Sequence, residues 1–413
     1  MHHTENRGHM GNAGKYGQDA VLRARVLLLG SEEPSLRERL DAYRVLAEVS
    51  PRAYLPKLVD ALFERARDFE DPEILRALYG EAATAARRFG PDVRDGEERL
   101  SRALGNYEHA LFALGRRSEG LAVCEELAEA GRSGRLAVVL AEEGRHGEAA
   151  ELLGRSVAPG GADVSGDADV SEWTLIEWAA ALDAAGRHEE ALEVFARVVD
   201  GARRTAADDR SPLASLVWKL EQYARMLRAA GRPAEEAAAG SEILALLARL
   251  AKGGEPVSWS NIQAWWATLL VLSGRPDEPV ATPDAPLPAF GVHPVHGWSP
   301  DVREEYAASI PALERRTEAL RDSGDLPGLI ATHRRLTVRR ALRWETSGRR
   351  TEESLRPSFD EAVALARRPT ADPGALVRAL TDRSMFLLAV QRYEEARADY
   401  AEAVALRPIV TRT

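Results

Sequence analysis

The sequence has little of what stabilises secreted and membrane proteins: it contains one cysteine, Cys124, and only 6% aromatic residues. A single cysteine excludes an intrachain disulfide and a cysteine-based metal site. The N-terminus is polar and glycine-rich, without the apolar core of a signal peptide, and no stretch approaches the length of a membrane-spanning helix. We therefore expect a cytoplasmic protein that does not act at a membrane.

Lysine is also scarce, with only Lys15, Lys57, Lys219 and Lys252, so arginine carries nearly all of the positive charge. Acidic residues outnumber basic ones by 65 to 55, which gives a net charge of −10. Proteins that bind nucleic acids generally carry a basic surplus, so this charge argues against a nucleic acid as the partner.

Strand-forming residues are sparse as well, whereas alanine, leucine, glutamate and arginine, all strong helix formers, are abundant. The composition therefore predicts an all-α fold. The chain has 413 residues. Single compact domains stop growing at roughly 250–300 residues, so we expect either two domains or an elongated array of repeats.

One phrase recurs along the chain: an apolar helical stretch, a hinge of glycine and arginine, and an acidic start to a second apolar helix. Most hinges are 42 to 45 residues apart, which corresponds to one pair of helices per repeat. The predicted hinge residues are Gly115, Gly144, Gly186, Gly231, Gly274, Gly348 and Gln391.

The chemistry of this phrase fits a helical hairpin. Glycine ends a helix at low cost in the left-handed conformation, so we expect a positive φ at Gly186. Glutamate in the first turn of the next helix suits the positive end of the helix dipole. Apolar residues then recur at helical spacing, as at Ala191, Phe195 and Val198. Neither helix can bury that stripe alone, so neighbouring hairpins must stack.

The last repeat resembles the tetratricopeptide repeat family. Ala396, Tyr400, Ala403 and Pro408 stand at the positions of that family's small–aromatic–small–proline signature. Most repeats here are longer than the family's usual length of about 34 residues. In this the chain is more similar to the helical sensor regions of large bacterial regulators than to short chaperone adaptors. The resemblance implies a right-handed α-solenoid of TPR-like helix hairpins.

A proline-rich loop interrupts the repeats. Residues 275–300 hold seven prolines, cannot form a helix, and stand where a second helix is expected after Gly274. Earlier in the chain, Asp71 and Pro72 predict the start of a helix. The predicted organisation is a disordered N-terminus at 1–18, a helical capping segment at 19–100, a TPR-like array at 101–274, the proline-rich loop at 275–300 and a C-terminal TPR-like array at 301–413.

Candidate metal ligands are few and poorly arranged. His293 and His296 form an HxxH pair, but a site needs two more ligands and none lies nearby. Asp163, Asp167 and Asp169 do not match the spacing of a calcium-binding EF-hand loop. The sequence also lacks a P-loop, a dinucleotide fingerprint and a nucleophile elbow. We expect no metal, no cofactor and no catalytic residues, and therefore not an enzyme.

The resemblance implies that the first helix of each hairpin lines a concave groove. Tryptophan and arginine together are typical of binding hot spots; an alternative is that the tryptophans pack between repeats. The groove has no lysine, which disfavours the chaperone-tail clamp of this family. The residues that alignment of the hinges places in the groove are Trp173, Ile176, Trp218, Glu221, Arg225, Arg228 and Asn261.

A second candidate surface is basic. Arg335, Arg339 and Arg343 follow one another at every fourth position and so share one helix face. A solvated face with salt bridges is one interpretation, and a site for an anionic partner is the other.

These features favour a protein–protein interaction scaffold or sensor that binds a peptide or protein in its groove. The alternatives are a signal-sensing regulator linked to transcription, with 46–62 as its only weak helix-turn-helix candidate, and a helical enzyme such as a phosphatase. The sequence does not indicate whether a small molecule binds. Residues 283–298, with Phe290 and Trp298, form a further hypothesis: an extended proline segment loses little entropy on binding, so it suits the groove as an internal ligand.

Overall fold

The structure is a computed structural model that describes residues 16–31, 33–90, 92–158, 171–208, 211–257, 262–294, 297–342 and 348–407. Within these ranges the protein is all-helical, with nineteen α-helices, one short 3₁₀ helix and no β-structure beyond an isolated bridge between Thr282 and Ala285. The prediction of an all-α fold is confirmed. No helix in the same ranges combines the length and hydrophobicity that crossing a membrane requires. Most of the predicted disordered N-terminus, 1–18, lies outside the described residues.

The chain forms two compact units, Met1–Ala130 and Gly131–Thr413. The helices of the first unit are α1 (Gln18–Leu29), α2 (Leu36–Val49), α3 (Pro51–Ala66), α4 (Pro72–Ala86), α5 (Gly96–Ala113) and α6 (Arg117–Glu129). Each of them packs against the next, including α4 against α5. The unit therefore continues past residue 100, where the predicted capping segment ends, to Ala130. Asp71 begins α4 as predicted, since its side chain accepts hydrogen bonds from the first N–H groups of the helix.

The second unit contains the remaining helices. They are α7 (Gly134–Glu142), α8 (His146–Val157), α9 (Glu172–Ala184), α10 (His188–Ala207), α11 (Leu213–Ala229), α12 (Pro233–Gly253), α13 (Ile262–Gly274), the 3₁₀ helix η1 (Arg275–Asp277), α14 (Pro300–Ala308), α15 (Ile310–Ser323), α16 (Leu326–Leu342), α17 (Gly348–Ala366), α18 (Pro373–Ala389) and α19 (Tyr393–Leu406). Neighbouring helices pack in turn from α7 to α12 and again from α15 to α19.

The hinge phrase has the geometry that the sequence predicts. Positive φ angles between 62° and 79° occur at Gly115, Gly144, Gly186, Gly231 and Gln391. The N–H of the arginine after each glycine donates to the carbonyl of a buried leucine five residues earlier, at 2.8–2.9 Å. The guanidinium of Arg187 also binds Glu190, at 2.6 Å, and the other three Gly-Arg hinges repeat this pair. One arginine therefore helps to end the first helix and to start the second.

Two predicted hinges are wrong. Gly274 has a φ of −86° and leads into η1, and Gly348 is the first residue of α17. The hinge between α15 and α16 is Gly324, with a φ of 75°. The sequence analysis missed Gly324 because it is followed by Asp325, whereas the repeated motif has arginine at that position.

Ion pairs between neighbouring hairpins follow nearly the same period. Their partners stand 37 to 40 residues apart, as in Arg44–Glu81, Arg87–Glu126, Arg203–Glu242, Arg321–Glu361 and Arg356–Glu395. Surface pairs of this kind contribute about 1 kcal/mol or less each. These ion pairs therefore reflect the regular spacing of the hairpins but contribute little to their stability.

The last hairpin of the second unit closes onto its middle. α18 contacts α11 and α13, and α19 packs against α12. α13 contacts α11, α16 and α18, and its Trp266 packs beside Phe359 and Phe386, whose rings stack at 4.5 Å. A row of hairpins in which each contacts only its neighbours would lack these contacts.

Candidate functional site

The predicted groove residues lie on the first helices of two hairpins: Trp173 and Ile176 on α9, Trp218 and Glu221 on α11. A partner site there requires Trp173 and Trp218 to be partly exposed, whereas the alternative packs the tryptophans between repeats. Trp218 is only 2% exposed, and its neighbours Ile176 and Glu221 are buried as well. Exposure is therefore wrong for Trp218, because other segments of the same chain cover it.

Helix α13 covers part of α9 and α11. Trp265 of α13 stacks on Trp173 with ring centroids 3.7 Å apart. The Nζ atom of Lys219 lies 4.1 Å from the centre of the Trp265 ring and 2.6 Å from a carboxylate oxygen of Glu172. Burial lowers the pKa of Lys219, and Glu172 opposes that shift. The stacked indoles and the cation–π contact thus hold α13 against α9 and α11, and the ion pair joins α11 to α9.

The C-terminal hairpin covers Trp218 and Glu221. The indole N–H of Trp218 donates to a backbone carbonyl of α18 at 3.1 Å. Glu221 accepts hydrogen bonds from Tyr400 at 2.8 Å and from Arg225 at 3.1 Å. Arg225 also binds Asp382 at 2.9 Å. The pocket lined by Trp218, Glu221, Arg225 and Asp382 measures about 290 Å³ out to its mouth. Its charged side chains are paired within the chain.

The last groove predictions have mixed outcomes. Arg228 is exposed and pairs with Glu236 at 2.6 Å. Asp382 binds Arg334 at 2.7 Å as well as Arg225; burial would raise the pKa of Asp382, but the two arginines hold it below its ordinary value. Asn261 lies outside the described residues.

The predicted basic face on α16 binds a carboxylate of the chain itself. Arg339 donates to Glu278 through both terminal nitrogens, at 2.6 and 3.0 Å, and Arg335 binds the same carboxylate at 2.9 Å. The Tyr306 hydroxyl donates to it at 3.2 Å. Burial would raise the pKa of Glu278, but the arginines hold it below its ordinary value. The salt bridges of the first interpretation are therefore present, and Arg335 is partly exposed, but Arg339 is buried and not solvated. Arg343 lies outside the described residues.

Glu278 begins the proline-rich segment, defined here as residues 278–299, which crosses α7 and α9. The N–H of Leu287 donates to the backbone carbonyl of Glu142, at the end of α7, at 2.9 Å. The Glu142 carboxylate accepts hydrogen bonds from the N–H and Oγ of Ser299 at 2.7 and 2.6 Å. Arg135, near the start of α7, donates to Ser299 Oγ at 2.9 Å and to a backbone carbonyl of the segment. α7 therefore binds the segment at Leu287, near its middle, and at Ser299, its last residue.

Apolar residues of the segment lie against small side chains of α7 and α9. These side chains form what we call the alanine trough: Ala137, Ala141, Ala180, Ala181 and Ala184. Phe290 and Val292 line the same space and flank Gly291. His293 packs edge-on against Trp173, with ring centroids 5.8 Å apart. Residues 289–293 therefore lie on α9, the helix that carries the predicted groove residues Trp173 and Ile176.

A cavity remains between the alanine trough and the segment. It measures about 380 Å³ out to its mouth, and its polar lining residues are Glu177, His146 and Arg275. Arg275 binds Asp183 at 2.6 Å, whereas Glu177 makes no hydrogen bond or ion pair with any described residue. Burial raises the pKa of Glu177 to about 7. Burial lowers the pKa of His146, and the charge of Arg275 lowers it further.

Sequence reasoning missed three residues of this site: Glu142, Glu177 and Gly291. Glu177 gave a visible signal, because it is the only charged residue in the apolar run 173–182. Glu142 and Gly291 gave none, since their roles depend on segments that meet across more than a hundred residues of chain.

Of the candidate metal ligands, only His293 lies within the described residues. Within the described ranges, no three His, Cys, Asp or Glu side chains are grouped closely enough to hold a metal ion. Asp163, Asp167, Asp169 and His296 lie outside the described residues, and His293 contacts Trp173.

Comparison with known proteins adds no relative. No protein-family model matches the chain, and no curated protein matches it significantly. Function is therefore inferred from the residues and the geometry above.

Proposed function

We propose that the protein is an interaction scaffold or sensor of the tetratricopeptide type. Its stacked helix hairpins bind a peptide or protein partner in the cytoplasm, on the face that α7 and α9 form. It acts by binding and not by catalysis, and needs no cofactor. The partner is not a nucleic acid, in keeping with the net charge of −10.

The observation that supports this proposal most is the proline-rich segment, an irregular stretch with turns at 282–285 and 289–292 that lies on α7 and α9. It is held as peptide ligands are held, with a backbone hydrogen bond at Leu287 and apolar side chains against the alanine trough. Prolines restrict the unbound segment, so little entropy is lost when it binds. A surface that accepts this peptide within the chain has the groups and the shape to accept a similar one from another protein.

The attached segment competes strongly with such a partner. A flexibly tethered ligand has an effective concentration of about millimolar. A partner of equal intrinsic affinity at micromolar concentration is then excluded by roughly a thousandfold. The free chain is therefore closed, and a partner binds once the segment leaves or when its own affinity is higher.

A DNA-binding role has less support. The weak helix-turn-helix candidate at 46–62 falls on α2 and α3, and α3 buries Leu55, Leu58, Val59 and Leu62 in the core of the first unit. The exposed residues of α3 include Asp60 and Glu64 beside Arg52 and Lys57, so this face offers DNA no basic surplus.

The test of this proposal releases the segment with Gly291→Val, which adds a side chain where a Cβ would stand 2.6 Å from that of Ala180. A displayed library of random peptides is panned over this variant, over the wild type and over a variant that also carries Ala181→Trp to fill the trough. We expect enrichment on Gly291→Val alone. Equal enrichment on all three proteins, or on none, would overturn the proposal.

A matched glycine control is Gly147→Ala on α8. A Cβ there meets open space and the residue has no positive φ, so this variant is expected to behave as the wild type. Circular dichroism and urea unfolding check that each variant is folded.

A further inference from the structure

We infer that the partner of the α7–α9 face presents a proline-containing segment with a small residue, an aromatic residue, a glycine and a β-branched residue in succession. This is the chemistry of the chain's own residues 289–292, Ala-Phe-Gly-Val. The inference rests on the proposed function and specifies the class of ligand. Each position in the motif follows from a different contact.

The glycine is required by both backbone and space. The N–H of Val292 donates to the carbonyl of Ala289 at 3.1 Å, which closes a four-residue turn with Gly291 in its third position. Gly291 has a φ of 94°, a conformation that favours glycine in such turns. A Cβ there would also stand 2.6 Å from the Cβ of Ala180 and 3.5 Å from the carbonyl oxygen of Ile176. A peptide with any other residue here cannot lie as close to α9.

The flanking positions are set by the alanine trough. Alanine leaves empty volume beside the helix backbone, and Phe290 and Val292 line that volume while Val292 is almost fully buried. An aromatic side chain offers a large apolar area with few rotatable bonds to order. The turn carries both side chains into one trough, so a partner needs both.

The residue three positions before the aromatic must keep its N–H. Leu287 uses this group to satisfy a carbonyl at the end of α7, which has no partner within the helix. Pro286 and Pro288 on either side keep the chain extended. Proline at the position of Leu287 is therefore excluded, whereas proline beside it is favoured.

The direct test uses a labelled synthetic peptide with the sequence of residues 283–294. It is titrated into the full-length Gly291→Val chain, and binding is followed by fluorescence anisotropy. Matched peptides carry Phe290→Ala or Gly291→Ala, or have the same composition in scrambled order. We expect the parent peptide to bind and each altered peptide to bind roughly thirtyfold or more weakly.

Equal binding of the parent and altered peptides, or no binding of any, would overturn the inferred motif. If the library still enriches other peptides on Gly291→Val, the proposed function stands and the motif alone fails; if it enriches none, both fail. Should Gly291→Val not fold cooperatively, the full-length Phe290→Ala chain replaces it. That chain releases the segment by losing a contact and not by adding a clash, and the same outcomes apply to it.

Discussion

Replacing Glu177 by glutamine is expected to change how the stability of the second unit depends on pH. The carboxyl group has a pKa of about 7 in the folded chain, against an ordinary value of 4.5, because the cavity under the proline-rich segment is poorly solvated. At about 1.36 kcal/mol per pKa unit, this difference corresponds to roughly 3 kcal/mol. Glutamine has almost the same shape and never ionises.

The sign of the effect follows from proton uptake. Between pH 4.5 and 7 the unfolded chain has released this proton while the folded chain still holds it. The contribution of Glu177 to the free energy of unfolding therefore falls across that window and stays level above pH 7. Relative to the wild type, Glu177→Gln should be unchanged near pH 4 and more stable at pH 8 by up to about 3 kcal/mol.

The assay is urea unfolding followed by circular dichroism from pH 4 to 8, and the quantity compared is the difference between variant and wild type. Other titrating groups, including His146 in the same cavity, largely cancel in that difference. Glu190→Gln is the control, because a hydrogen bond from Arg187 lowers the pKa of Glu190 and no gain at high pH is expected. A difference for Glu177→Gln that does not vary with pH would refute the reasoning.

Three further changes probe the fold. Gly186→Val should cost roughly 1–2 kcal/mol through its positive φ alone, because a Cβ there meets open space; equal stability in urea would contradict the left-handed hinge. Trp218→Ala should cost roughly 3–5 kcal/mol, because the side chain is buried and hydrogen-bonded; a loss under 1 kcal/mol would indicate instead that Trp218 is exposed on a groove surface. Glu278→Ala should cost roughly 3–5 kcal/mol by leaving Arg339 buried without its carboxylate. Glu314, the exposed partner of Arg340, provides the control: Glu314→Ala should cost about 1 kcal/mol or less. If Glu278→Ala and Glu314→Ala lost similar stability, that would contradict a buried ion pair at Glu278.

The sequence was a good guide wherever structure is local. A glycine, an arginine and a glutamate within five residues correctly predicted the left-handed hinges at Gly115, Gly144, Gly186 and Gly231. The same triplet follows Gly274 and Gly348, which are not hinges, so the local pattern alone does not decide where a hairpin turns. Gly324 was missed because Asp325 stands in place of arginine. The second unit also closes through α12 and α19, which are separated by more than a hundred residues, and no local pattern reports such contacts.

The same distinction explains the candidate site. Helical spacing correctly grouped Arg335 with Arg339, and the hinge alignment placed Trp173 and Trp218 on helices that contact another segment. The alignment did not reveal that the groups covering these helices belong to the same chain. Trp265 and the C-terminal hairpin reach Trp173 and Trp218, and Glu278 reaches Arg335 and Arg339, only after the chain has folded back. The prolines of 275–300 correctly predicted that no second α-helix follows Gly274 directly, but Arg275–Asp277 form a short 3₁₀ helix. Only the structure shows which helices the rest of the segment crosses.

The most direct test of the central claim is hydrogen exchange, by mass spectrometry, of the segment that includes Leu287. The N–H of Leu287 is bound to Glu142 and that of Val292 to Ala289, so the segment is expected to exchange slowly in the wild type. In Gly291→Val the same peptide should exchange quickly, while α8 remains protected in both proteins. Fast exchange of the segment in the wild type, or equal protection in the two proteins, would contradict the claim that it occupies the α7–α9 face and can be released from it.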